Sequence, residues 1–261
     1  MAPTHPDLLH LAAAFAAALL AAAVNSVAGG GTLISFPILV GLGLPAIVAN
    51  ATSTVGIWPG SLGSIWGFRR ELERSDPRLR LLVIPCFLGG AAGALLLRAT
   101  TTATFDALVP FLVLFATALF ALRGAVQRWL GRRSVGGDLR GPGWRGLGVA
   151  AALAVATYGG YFGAGMSILN LSMLGMLGMT DLLEMNALTS LFSLCVNGVA
   201  IALFAAAGLV DWPVALAMAS GALLGGYGAV GVARRIGRRA LGWLVIAVGL
   251  VVSAVFFARR P

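Results

Sequence analysis

The chain has 261 residues, 59% of them hydrophobic and only 10% charged, with a mean hydropathy of +0.94. A soluble domain of this length would carry about 25% charged residues, which excludes a soluble enzyme or a nucleic-acid binder despite a net charge of +9. All 18 basic residues are arginines, gathered in a few stretches between apolar runs, where they act as topology signals.

Apolar pieces follow one another along the whole chain. In the first half they cover about 8–28, 32–44, 46–68, 80–98 and 105–123. In the second half they cover about 146–163, 165–178, 182–207, 212–233 and 239–258. Most are long enough to cross a hydrocarbon core of about 30 Å. The pieces at 32–44 and 165–178 are too short to span alone and suit half-helices or re-entrant elements. The first run is read as a retained span: it lacks the basic start of a signal peptide, since no Arg or Lys precedes Arg69. The fold class is therefore an all-α polytopic membrane protein.

The order of pieces repeats. Gly29, Gly30 and Gly31 interrupt the first half, and Gly159 to Gly165 interrupt the second. Each interruption is followed by a short apolar piece and then by a polar cluster, Asn50-Ala-Thr-Ser-Thr54 or Asn186-Ala-Leu-Thr-Ser190. Seven residues beyond each cluster stands another small polar residue, Ser61 or Asn197. Glycine-rich helices follow, around Gly89–Gly93 and Gly221–Gly225, whose spacing of four lets helix backbones approach closely. The organisation is two pseudo-symmetric halves of four to five membrane segments each: 1–125, a basic linker at 126–145 placed in the cytoplasm, and 146–261. If each glycine break turns the chain back, Arg69–Arg80, the linker and Arg234–Arg239 all fall inside, leaving only Arg98, Arg259 and Arg260 outside. The halves then form an inverted repeat.

Catalytic chemistry finds no purchase. His5 and His10 belong to the N-terminal tail, and Cys86 and Cys195 stand alone as small buried hydrophobes. No Ser–His pair, metal-ligand cluster or phosphate loop occurs, and no cofactor or metal is expected. Glu184, two residues before Asn186, is the one candidate proton carrier. The polar groups inside the spans are neutral. Breaking a helix with three glycines costs about 1 kcal/mol each relative to alanine, and it frees backbone N–H groups and a partial positive charge. Such a break suits a small anion that must be bound and released. The candidate substrate-binding set is Asn25, Gly29, Gly30, Gly31, Thr32, Asn50, Thr52 and Ser53 with Gly163, Gly165, Asn186, Thr189, Ser190 and Asn197.

Asn25-Ser-Val-Ala-Gly-Gly-Gly-Thr32 resembles the opening motif of the TauE/SafE family of membrane permeases, the sulfite exporters. Pro45–Thr54 resembles the motif that follows, Phe162-Gly-Ala-Gly165 its second copy, and Gly225-Gly-Tyr-Gly228 with Arg234-Arg235 the late one. The resemblance covers 8–258. It implies transport of sulfur oxyanions or organosulfonates, such as sulfite or sulfoacetate, across a bacterial inner membrane, powered by an ion gradient. The partners expected are a small anion and lipid, with a homodimer left open. The rival readings are an anion channel of the same architecture and a membrane assembly protein without transport.

Overall fold

The computed structural model describes residues 7–28, 30–132, 143–236 and 238–258. These form twelve helices and no strand: α1 (Leu8–Ala28), α2 (Thr32–Gly41), α3 (Ala46–Gly67), α4 (Arg69–Arg74), α5 (Pro77–Arg80), α6 (Val83–Ala99), α7 (Thr102–Arg132), α8 (Gly143–Tyr161), α9 (Met166–Met176), α10 (Leu182–Ala206), α11 (Trp212–Ile236) and α12 (Arg238–Ala258). Ten of them follow the ten apolar pieces; α4 and α5 are short turns among the arginines between α3 and α6. The expected linker is partly helical, since α7 continues through Arg132 and α8 begins at Gly143; residues 133–142 lie outside the described residues. His10, read as part of the tail, lies in the first turn of α1. The apolar stretch that follows it carries helix formation back over it.

The helix ends are fixed by local chemistry. Asp76 and Asp181 cap α5 and α10 by accepting from the backbone N–H groups of Arg78 and Leu183, each at 2.8 Å. Asp211 caps α11 through the Val214 N–H at 3.2 Å. The two short helices α2 and α9 end alike. Gly43 and Gly178 both take φ +93°, and Leu44 N and Met179 N reach back to Leu39 O and Leu174 O at 3.2 and 3.1 Å. Left-handed backbone of this kind favours glycine.

Among the described residues, four stretches are long and apolar enough to cross a membrane by length and composition: Leu8–Asn25, Pro77–Ala99, Thr102–Leu122 and Leu182–Ala206. α3 has the length, but its polar run lowers its hydropathy. The outer faces of α6, α7, α11 and α12 expose Phe87, Leu96, Phe111, Phe115, Leu224 and Val251. Apolar surface on that scale is a liability in water and is the lipid face of a membrane protein. Trp66 is exposed near the end of α3 with the Arg69 guanidinium 4.5 Å from its ring, an aromatic–cation anchor of the interfacial kind.

The halves are interleaved. α1 packs along α11 as α8 packs along α6, and α3 lies on α11 as α10 lies on α6. Glycines set these contacts. A Cβ on Gly221 would meet the Phe15 carbonyl, and one on Gly225 the Leu19 carbonyl. In the other pair a Cβ on Gly89 would lie 2.6 Å from the Leu153 carbonyl, and one on Gly93 would meet the Thr157 carbonyl. The numbers ascend together, so α1 runs parallel to α11, and α8 to α6. Gly56 and Gly60 of α3 face Met218 and Ala222, also ascending. α1 and α3 therefore point the same way, and α2 between them turns the chain back. α7 and α12 are antiparallel: Phe111 meets Phe257 edge-on at 5.2 Å, while Thr117 meets Gly249. At the crossing of α3 and α10, Trp58 Nε1 donates to the Leu194 carbonyl at 3.3 Å. These residues are 136 apart, the same offset that separates Asn50 from Asn186.

Candidate functional site

The two glycine breaks open onto one cavity of about 60 Å³ near the α3–α10 crossing. Its wall is built from seven places in the chain. Asn25 comes from the end of α1, Gly30 from the first break, and Thr32 from the first residue of α2. α3 contributes Thr54, Ile57, Trp58 and Ser61, a stripe of three- and four-residue steps along one helix face. Phe162, Gly163 and Gly165 form the second break, Met166 and Ser167 open α9, and Ser193 and Asn197 come from α10. Ile57 faces the cavity with Ser193, and Ser61 with Asn197, each pair again 136 residues apart.

Each break has its own reason for glycine. Gly30 takes φ +94°, and a Cβ there would lie 2.8 Å from the Phe120 ring. Gly31 has ordinary helical φ −54° but sits against the Ala21 carbonyl, where no side chain fits. Gly163 and Gly165 take φ +78° and +81° with ordinary room around Gly165, so there the requirement is conformational. Tyr158 holds the second break in place, its hydroxyl donating to the Ala164 carbonyl at 2.6 Å.

The chemistry of the wall is that of neutral donors. No ionisable side chain lines it among the described residues. Neither α2 nor α9 has a side-chain cap at its N-terminus. Leu33 and Ile34 N–H donate to the Gly30 and Gly31 carbonyls, and Met166 and Ile168 N–H to those of Gly163 and Gly165. That leaves the Thr32 and Ser167 N–H groups and the positive ends of the two helix dipoles at the wall. The Ser193 hydroxyl is buried without a partner. An unsatisfied buried polar group costs roughly 1–3 kcal/mol, so a ligand that accepts from it recovers that cost.

The expected site residues divide. Asn25, Gly30, Thr32, Gly163, Gly165 and Asn197 line the cavity. Gly31 does not line it but packs against the Ala21 carbonyl, and Gly29 lies outside the described residues. Of the two polar clusters only Thr54 reaches the wall; Asn50, Thr52 and Ser53 tie helices together, and Asn186 and Ser190 bond within α10. Asn50 donates to the Tyr161 carbonyl at 3.0 Å, Ser53 meets Ser35 at 2.7 Å, and Thr52 accepts from the Asp211 N–H at 3.0 Å. Asn186 bonds the Leu182 carbonyl of its own helix at 2.7 Å and Ser190 the Asn186 carbonyl at 2.9 Å, while the Thr189 hydroxyl is buried without a partner. Glu184 stands in the first turn of α10, nine residues or about 14 Å before Ser193. Thr54, Ile57, Trp58, Ser61, Phe162, Met166, Ser167 and Ser193 complete the wall from outside the candidate set. The signal that could have found the α3 and α10 members is the helical step leading back from Ser61 and Asn197.

A family model described as sulfite exporter TauE/SafE matches residues 14–256. The chain belongs to the TauE/SafE family. A Haemophilus influenzae protein described as a probable membrane transporter protein is 27% identical over 216 residues, 82% of each chain. The probable membrane transporter protein YfcA of Escherichia coli K12 is 28% identical over 248 residues, 94% of this chain and 89% of its own. No solved structure matches. Membership places the chain among probable membrane transporters, not enzymes. In this TauE/SafE protein the opening motif and its second copy, 130 residues apart, share one cavity.

Proposed function

We infer that the protein is a secondary transporter of a small anion, and that the cavity between the two breaks is where the anion binds. The observation that carries this reading is the pair of uncapped helix N-termini facing one cavity with no fixed charge. The Thr32 and Ser167 N–H groups, with the side chains of Ser193, Ser61, Asn197 and Thr32, supply donors. A buried arginine would hold an anion too firmly for turnover; neutral donors, each worth about 1.5–3 kcal/mol towards a charged acceptor, release it. A sulfur oxyanion or an organosulfonate such as sulfite or sulfoacetate fits this donor set, and a bacterial inner membrane fits both the curated relatives and the arginine distribution.

The reading includes an inverted repeat of residues 1–125 and 146–261. Its support is the helix directions: α1 and α3 run with α11, α8 runs with α6, and α7 opposes α12. With hairpin connections between α6 and α7 and between α10 and α11, the second half repeats the first upside down. Alternating access then follows from rocking one half against the other around a fixed site. Glu184 is the candidate for proton coupling; an unchanged proton dependence in Glu184→Gln removes it from that role.

The test is flux in proteoliposomes of the purified protein, screened with sulfite, thiosulfate, sulfoacetate and simple carboxylates. Accumulation of one of these against its gradient, collapsing with a protonophore, is expected. Flux that only equilibrates the two sides would make it a channel. No flux of any anion would overturn the reading.

A further inference from the structure

A second hollow, of about 390 Å³, opens where α3 begins, α6 ends and α7 begins. Arg98 lies in its wall with the run Thr100 to Thr102, facing Pro45 and Leu209. Arg98 is exposed and makes no ion pair or hydrogen bond with any other described residue. The carboxylate on the adjoining loop, Asp211, is engaged by the Val214 N–H, and Asp106 of α7 does not line the hollow. α3 begins at this wall without a side-chain cap, so its first-turn N–H groups add positive potential beside the guanidinium. One cation, hydroxyls and a helix N-terminus converge here with no negative group in the wall.

This hollow and the central cavity are separated by four buried rings. Phe162 lines the central cavity, while the Tyr161 hydroxyl lies 3.4 Å from Thr100 Oγ1 in the outer wall. Phe105 packs on both, with ring centroids 5.8 Å from Tyr161 and 6.5 Å from Phe162, and Phe36 stands edge-on to Phe162 at 5.4 Å. The backbone under this plug is clamped from the other half by Asn50, which holds the Tyr161 carbonyl. A plug with an arginine-bearing hollow on one side and the donor-lined cavity on the other has the layout of a vestibule and a gate.

We propose that the Arg98 hollow is an anion-capture site, which gathers a small oxyanion from water on that face before it passes the aromatic plug. The proposal rests on the reading of an anionic cargo, but its test does not. In a Cys195→Ala background with Cys86 left buried, Thr102→Cys puts a thiol in the hollow. The probes are a negatively charged and a positively charged methanethiosulfonate of similar size, applied to the full-length protein in membranes. A unit charge roughly 6 Å away in water acts with opposite sign on the two reagents. It favours the anionic one by about tenfold at low ionic strength, falling as salt screens it. Arg98→Gln is expected to remove that preference, and inorganic sulfate to slow labelling only while Arg98 is present. An equal reagent preference with and without Arg98, an unreactive thiol, or sulfate protection that survives Arg98→Gln would each overturn the proposal. Charge-selective labelling together with absent flux would leave the capture site standing and remove the cargo reading. Flux with no charge selectivity would do the reverse.

Discussion

Two sets of glycines in this chain do different work. Those of α6 and α11 lie in regular helix and are there because a neighbouring backbone occupies the space of a side chain: Gly93 abuts the Thr157 carbonyl and Gly225 the Leu19 carbonyl. Gly163 and Gly165 of the second break are there because the chain bends through left-handed backbone at φ +78° and +81°, and Gly165 has ordinary room around it. The first set holds the halves together and the second shapes what lies between them. A glycine-rich membrane sequence thus mixes a packing signal with a site signal, and only the partner atoms separate the two.

The largest effect is expected at the packing glycines. Gly93→Leu or Gly225→Leu drives a side chain into a carbonyl that cannot move, at a cost above the usual 1–3 kcal/mol of overpacking. Loss of the monodisperse peak in detergent is expected; a normal peak and melting curve would show that these helices do not pack as described. Gly165→Ala should separate function from fold. A non-glycine residue in left-handed backbone costs roughly 1–2 kcal/mol, and the added methyl meets only ordinary contacts at 3.5 Å or more. Transport is expected to be lost while the protein still inserts and melts within a few degrees of wild type. Gly30→Leu also abolishes transport, but less cleanly, because Phe120 stands in the way.

Smaller effects sharpen the boundary of the site. Ser193→Ala removes a hydroxyl with no protein partner, so stability should hold or rise slightly. The apparent affinity for the transported anion should fall about tenfold, for a hydrogen bond of roughly 1.5 kcal/mol or more to a charged group. Unchanged affinity would place the anion elsewhere. The matched pair Asn50→Ala and Asn186→Ala gives the smallest and most specific contrast. Asn50 bonds across the halves to Tyr161, whereas Asn186 bonds its own helix. Thermal melting should fall by about 1–2 kcal/mol equivalent for the first and by less than about 0.5 kcal/mol for the second. Equal losses would mean that the two positions are equivalent in the folded protein.

Much of the architecture was legible because apolar length and glycine interruption are local properties. The starts of α1, α2 and α3, and of α10 and α11, fall where the apolar pieces were expected to begin. The site was legible in direction but not in depth. Asn50, Thr54, Ile57, Trp58 and Ser61 share one stripe of α3, yet the stripe opens onto the cavity only from Thr54 onward. One turn earlier Asn50 is already at the level of Tyr161, where the aromatic rings close the space. Which turn of a polar stripe faces a cavity is decided by rings from α2, α7 and the end of α8, far away in sequence. Ser193 cannot be singled out from the sequence for the same reason: nothing near it in the chain shows that its hydroxyl finds no partner.

The uncharged lining of the cavity has an electrical consequence. A singly charged anion seated there meets no protein countercharge, so it carries its whole charge through the membrane field when the cavity changes sides. That work amounts to about 2.3 kcal/mol per elementary charge at 100 mV, a bias of about 50-fold. With the interior negative, the voltage alone drives such a solute outward. Inward movement would need a concentration gradient steeper than that bias, an anion leaving in exchange or a cation travelling with it, and the cavity wall has no carboxylate to hold a cation.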